Sequence, residues 1–225
     1  MREVMKRNVF FFIGAFAIIL TLLIWIIVKL HSFDDRINKI GLMLAEQSIL
    51  NIPKQVKDVV INEGDSFTLG DSLAAVTVIM FSDYECDYCK LFFVNTFPKI
   101  EQQFIQTGKI RFVFRHLPLG MHPNAYIAAQ MAEHARSQDK FMEMHNKLVR
   151  MDYISEALLT VFAEELNIDT LNWRSNAKSI EKIDLDVSAS EKIHVHGTPT
   201  FIINGKMYTG IRNFEEFKEI LTIEE

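Results

Sequence analysis

Hydrophobic and polar positions change regime several times along the chain. The first regime is Val9 to Val28, a run of twenty uncharged, mostly apolar residues. At about 1.5 Å per residue a helix of that length covers about 30 Å, the depth of a bilayer core. The pattern therefore predicts one transmembrane anchor over 9–30 behind a short cytoplasmic terminus, 1–8. The run leaves through Val28-Lys29-Leu30-His31-Ser32-Phe33, without the small-x-small site of a cleaved signal peptide, so the anchor is expected to stay. Arg2, Lys6 and Arg7 precede it and Lys29, Arg36 and Lys39 follow it, a slight bias toward a cytoplasmic N-terminus. From 31 to 58 the chain is polar. Phe33, Ile37, Ile40 and Leu44 recur there at helical spacing until Pro53. The reading is a stalk, with a self-association helix and a homo-oligomer as its sharper form.

Beyond the stalk, 59–225 reads as one folded domain. Ser66-Phe67-Thr68-Leu69 is a short strand closed by Gly70-Asp71. Ala75 to Phe81 is a continuous apolar, β-branched run, as in a central strand buried on both faces. A helix follows through Leu91, Phe92 and Phe93, is interrupted or restarted at Pro98, and stops at Thr107-Gly108. Ile110 to Phe114 is the next strand, expected to run parallel to Ala75 to Phe81. From about 122 to 194 every segment reads as helix, with Ser155 as one N-cap. The last part returns to strands, Thr200 to Ile203 and Lys206 to Thr209, around Asn204-Gly205, a two-residue hairpin signal. Asn213 caps a closing helix, Phe214 to Leu221.

Composition narrows the function classes. About 195 residues remain outside the anchor, one domain and a stalk. A net charge of −5 with no basic run argues against nucleic acid. The only cysteines are Cys86 and Cys89, straight after the buried strand. On the first turn of a helix this spacing leaves the first sulfur exposed and the second close enough for a tight disulfide. The helix N-terminus then favours thiolate at the first. The pair reads as redox-active, with Cys86 as nucleophile and Cys89 as resolving thiol. A zinc site needs four ligands, and there is no second cysteine pair, only scattered histidines. Haem attachment needs His after the second cysteine, where Lys90 stands. An inert structural disulfide would close a very small loop and stabilise little. A dithiol on a tethered domain points to the oxidising side of the inner, cytoplasmic membrane, the periplasmic or extracytoplasmic side.

The stretches Phe81 to Lys90, Phe114 to Leu119 with His122-Pro123-Asn124-Ala125, and Gly197 to Gly205 resemble the DsbA-like branch of the thioredoxin superfamily. The resemblance implies an α/β thioredoxin fold with an inserted helical domain, and a cis Thr198-Pro199 bond facing the cysteines as the substrate-binding loop. It implies a thiol–disulfide oxidoreductase acting on cysteine-containing exported proteins, with no metal and no cofactor beyond the Cys86–Cys89 pair. A membrane redox partner, a quinone-coupled oxidase or an outward electron carrier, would recharge the pair. The alternatives are an isomerase or reductase using the same site, and a tethered chaperone or adaptor with a structural disulfide. This chain departs from the family pattern in having Asp87-Tyr88 between the cysteines, which leaves no imidazole there, and in having Met80 where relatives often bury a carboxylate. With Asp83, Glu85 and Asp87 nearby, the expectation is a less depressed Cys86 pKa and a less oxidising disulfide.

Overall fold

The structure is a computed structural model that describes residues 56–61 and 64–224, together with Trp25, Ile26 and Lys29. The span 9–30 and the stalk helix fall almost wholly outside the described residues. Among the described residues no helix is long and apolar enough to cross a membrane.

Six strands form one sheet: β1 Val56–Asp58, β2 Thr68–Leu69, β3 Val76–Ser82, β4 Ile110–His116, β5 Thr200–Ile203 and β6 Lys206–Thr209, in the spatial order β1-β6-β5-β3-β4-β2. The β3–β4 pair is parallel, Val76 opposite Ile110 through Ser82 opposite His116, and the other pairs are antiparallel. β1 extends the sheet into a stretch expected to be stalk. Its three residues carry no readable period, and pairing with Tyr208, Met207 and Lys206 is what makes them a strand. The β5–β6 turn places Asn204 and Gly205 at φ 45° and 84°, the left-handed pair a type I′ turn requires. Gly70 is fixed differently: at φ 98°, a Cβ there would meet the Ile110 carbonyl oxygen at 2.3 Å.

Alternation along β3 supplies both faces of the core. On one side Met80 lies with Phe112 and Phe114 of β4, Phe201 of β5 and the phenylalanines of the first helix. Phe92 and Phe201 rings are 4.8 Å apart, Phe97 and Phe112 5.1 Å. On the other side Ile79, Phe81, Val113, Ile202 and Met207 pack with Leu117, Ile193 and Val195.

That first helix, α1, runs without a break over 87–105. It consists of Asp87–Leu91, a π-helical Phe92–Thr96, Phe97–Ile100 and a π-helical Glu101–Ile105. The interruption expected at Pro98 is absent. Proline lacks a donor and its ring collides with the carbonyl four residues back, and the widened turn just before it absorbs both problems. Between β4 and β5 lie α2 Ala125–Arg136, α3 Phe141–Leu148, α4 Glu156–Glu165, a 3₁₀ turn Trp173–Ser175 and α5 Ala177–Lys192. Ser155 caps α4 by accepting from the Leu158 N–H, and Asn176 caps α5. The closing helix α6, Phe214–Glu224, starts with a reciprocal cap: the Glu216 N–H donates to Asn213 at 2.9 Å and the Asn213 N–H to Glu216 at 3.3 Å. Phe217 and Leu221 on its inner face are fully buried.

Candidate active site

The chain leaves β3 at Ser82 and turns into α1, and Cys86 stands at the N-cap position of that helix with extended φ and ψ of −75° and 115°. An N-cap side chain normally accepts the free N–H groups of the first turn. Here the Cys86 side chain makes no cap bond, and the first-turn N–H groups of Tyr88 and Cys89 act on the sulfur by lowering its pKa. Both cysteines are thiols and both are buried, Cys86 7% and Cys89 1% exposed, so the first, expected to stand exposed, is itself largely covered by the Thr198 loop. The Cys86 Sγ–H donates to the carbonyl oxygen of Thr198 at 3.3 Å. The Thr198-Pro199 bond is cis. The loop before β5 thus meets the first turn of α1 across 112 residues of sequence.

Four influences act on the Cys86 thiol. A hydrogen bond from Cys89 pulls its pKa down most, burial opposes it, and the Thr198 hydroxyl and two backbone N–H groups add to the pull. The balance lowers it from 9.0 to about 6. The Thr198 hydroxyl oxygen is buried and has no partner while Cys86 is a thiol, which leaves it for the thiolate. Cys89 moves the other way. Burial and the charge and hydrogen bond of Cys86 raise its pKa well above normal, against opposing bonds from the Asp83 backbone and the Ser82 hydroxyl. Besides Cys86, Ser82 is the side chain that acts on the resolving sulfur. Its place on the same face of β3 as Met80 was the sequence signal for it.

The acidic residues before Cys86 have partners of their own. Asp83 is buried: one carboxylate oxygen accepts the Glu85 N–H at 2.7 Å, the other the Leu119 N–H and His122 Nδ1, each at 2.8 Å. Glu85 accepts the Asn124 N–H at 2.6 Å. These two carboxylates latch residues 119–124 onto the cysteine turn. Asp87 is exposed and Tyr88 46% exposed, so both border the site from the solvent side. An imidazole is present after all. Burial pulls His122 down, but the bond and charge of Asp83, with the charges of Cys86 and Glu85, outweigh it and leave its pKa raised.

Tyr84, between the two latches, is buried and its hydroxyl shares a hydrogen bond with His145 Nδ1 at 3.0 Å. His145 lies among Phe93, Phe114 and Phe141, with ring centroids at 4.3, 5.2 and 5.8 Å. Burial, helped by the charges of His116 and Arg150, drives its pKa from 6.5 down to about 3. Below pH 6.5 the unfolded chain binds a proton there that the fold refuses. This contribution is complete above pH 6.5, is lost at about 1.4 kcal/mol per pH unit as pH falls, and levels off near pH 3. Urea unfolding at pH 7 and pH 4 is expected to show wild type losing about 3 kcal/mol more than His145→Gln. Equal losses would exclude His145 as the source.

The family model described as Thioredoxin matches residues 62–222. The chain belongs to the thioredoxin family. Its relatives place it on the DsbA-like side. A disulfide bond formation protein D of Bacillus subtilis is 29% identical over 168 residues, covering 68% of this chain and 74% of the relative. The solved structure of oxidised BdbD from Bacillus subtilis superposes with a TM-score of 0.62 at 25% identity, covering 76% of this chain and 97% of that one. A Na(+)/H(+) antiporter NhaA 3 of Salinispora tropica is 36% identical over 151 residues, or 65% of this chain and 22% of the antiporter. The chain thus spans about a fifth of that longer relative.

Proposed function

We propose that this protein is a membrane-anchored thiol–disulfide oxidoreductase that forms disulfides in cysteine-containing exported proteins. The observation that carries the reading is the Cys86 sulfur, 3.3 Å from the Thr198 carbonyl with Cys89 buried behind it. A sulfur with a low pKa is a good leaving group and a stable thiolate, so it accepts attack and is released readily. In the oxidised enzyme a client thiolate attacks Cys86, the Cys86–Cys89 bond breaks, and Cys89 takes the electron pair. A second client thiolate then attacks the client sulfur of the mixed disulfide and expels the Cys86 thiolate. The client loses two electrons and the enzyme gains them. Backbone groups at Thr198 and Pro199 receive the client chain as an added extended segment. The pair itself is the redox centre, with no metal and no separate cofactor.

Residues 9–30 tether the domain 59–225 through the stalk 31–58, with the domain outside the cytoplasm. Trp25, 60% exposed, and Ile26, 45% exposed, are helical, and an exposed Trp with Lys29 nearby suits the edge of a bilayer. A quinone-coupled oxidase in the same membrane restores the disulfide. The relative called disulfide bond formation protein D favours the oxidising direction. Thiol trapping in whole cells, followed by fractionation, tests all of this together. The expected result is a membrane-bound protein with Cys86 and Cys89 mostly oxidised. A mostly reduced pair would reverse the direction to isomerase or reductase, and recovery in the soluble fraction would remove the anchor.

A further inference from the structure

A cavity of about 410 Å³ opens beside the Thr198-Pro199 loop, lined by His194, His196, Thr198, Thr200, Met207 and Thr209. It lies on the sheet face away from α1: Thr200 and Ile202 share that face with Phe81 and Ile79, and Met207 belongs to the same apolar cluster. Local geometry sets the two imidazoles at its mouth. The chain leaves α5 through His194 in the left-handed region at φ 60°, held by its N–H to the Glu191 carbonyl at 3.1 Å. Val195 is then buried in the core cluster, which turns His194 and His196 outward together. Their ring centroids are 6.2 Å apart and the planes 40° from each other. No carboxylate lines the cavity, although the chain carries a net charge of −5. Of the hydroxyls there, Thr200 already donates to the Gly197 carbonyl at 2.8 Å. The two imidazoles join the unpartnered Thr198 hydroxyl as donors open to a ligand.

We propose that this cavity is a specificity pocket for an acidic side chain of the client, an Asp or Glu close to the cysteine undergoing exchange. Each imidazole offers an N–H to one carboxylate oxygen, a two-point contact that a carboxamide matches only in part; an ammonium group has no acceptor and leaves both N–H groups unpaired. Because Thr198 both lines the cavity and touches the Cys86 sulfur, a client segment lying along it reaches pocket and sulfur at once.

The inference rests on the oxidoreductase reading, and the test separates the two. The oxidised full-length protein in detergent is given three reduced dithiol peptides that differ only in Glu, Gln or Lys beside the first cysteine. The expected kcat/KM is about tenfold higher for the Glu peptide than for the Lys peptide, with Gln between. In a His194→Gln/His196→Gln variant the Glu-to-Lys ratio falls to about twofold or less. Thr209→Asp, which puts a carboxylate into the cavity, reverses the preference. Oxidation of all three peptides at equal rates, or a preference that survives in the double variant, overturns the pocket and leaves the oxidoreductase reading intact. Failure to oxidise any of them overturns both.

Discussion

Cys86→Ser is expected to abolish client oxidation, by about a thousandfold or more, whereas Cys89→Ala is expected to hold clients as stable mixed disulfides. The asymmetry follows from the positions of the two sulfurs. Cys86 faces the Thr198 loop and has a pKa of about 6, so roughly nine-tenths of it is thiolate at pH 7 once the disulfide is reduced. Cys89 is 1% exposed with a raised pKa, and a client sulfur reaches it only through Cys86. Removing Cys89 leaves Cys86 able to attack a client disulfide but takes away the escape route. Non-reducing gels of cells carrying each variant check this: client adducts with Cys89→Ala, none with Cys86→Ser. An adaptor with a structural disulfide would give adducts with neither. The same variants examine the source of the low pKa. Alkylation of Cys86 against pH is expected to have a midpoint at about 6 in the reduced wild type, and a higher one in Cys89→Ala, because the Cys89 hydrogen bond is the largest pull. An unchanged midpoint would assign the shift to the Thr198 hydroxyl and the helix N–H groups instead.

Much of the fold was legible because its signals are local. Val76 to Phe81 is apolar but for the β-branched Thr77 and is a central strand, and Asn204-Gly205, Ser155 and Asn213 each set a turn or cap within four residues of themselves. The cysteine pair and the Thr198-Pro199 loop were legible as motifs, and the fold brings them together. The misreadings around the site have a physical cause in common, a partner far away in sequence. Asp83 and Glu85 looked like charges beside Cys86, but their acceptors are committed to Leu119 and Asn124, 36 and 39 residues on. His122 went unassigned for the same reason, although it belonged to a stretch that had stood out. Pro98 read as a break because period alone cannot show a widened turn, and β1 was lost in the stalk because three edge residues have no period to read.

Asp186→Ala is the substitution expected to damage the fold most. Asp186 is 1% exposed on α5, and its carboxylate accepts the His116 N–H at 2.9 Å, meets Arg115 at 3.2 Å and pairs with Lys182 one turn earlier. Arg115 and Lys182 are 4% and 5% exposed, so Asp186→Ala strips two buried cations of the carboxylate they share. Breaking a buried pair by removing one partner costs about 3–5 kcal/mol, against a total stability of about 5–15 kcal/mol for a domain. Asp184, two residues earlier, is the control. It is exposed and bonds only Tyr126, at 2.9 Å, so Asp184→Ala should cost less than about 1 kcal/mol. Urea unfolding of both variants at pH 7 makes the comparison, and a loss below about 1 kcal/mol for Asp186→Ala would show that the cations find other compensation. The damage should also reach the active site. Asp186 ties α5 to the end of β4, and the next residue, Leu117, donates its N–H to the Ser82 carbonyl at 2.8 Å, at the point where the chain turns toward Cys86. Freeing that strand end loosens residues 119–124 from Asp83 and Glu85, so Asp186→Ala should lose client oxidation at temperatures where most of the protein is still folded. Asp184→Ala should not.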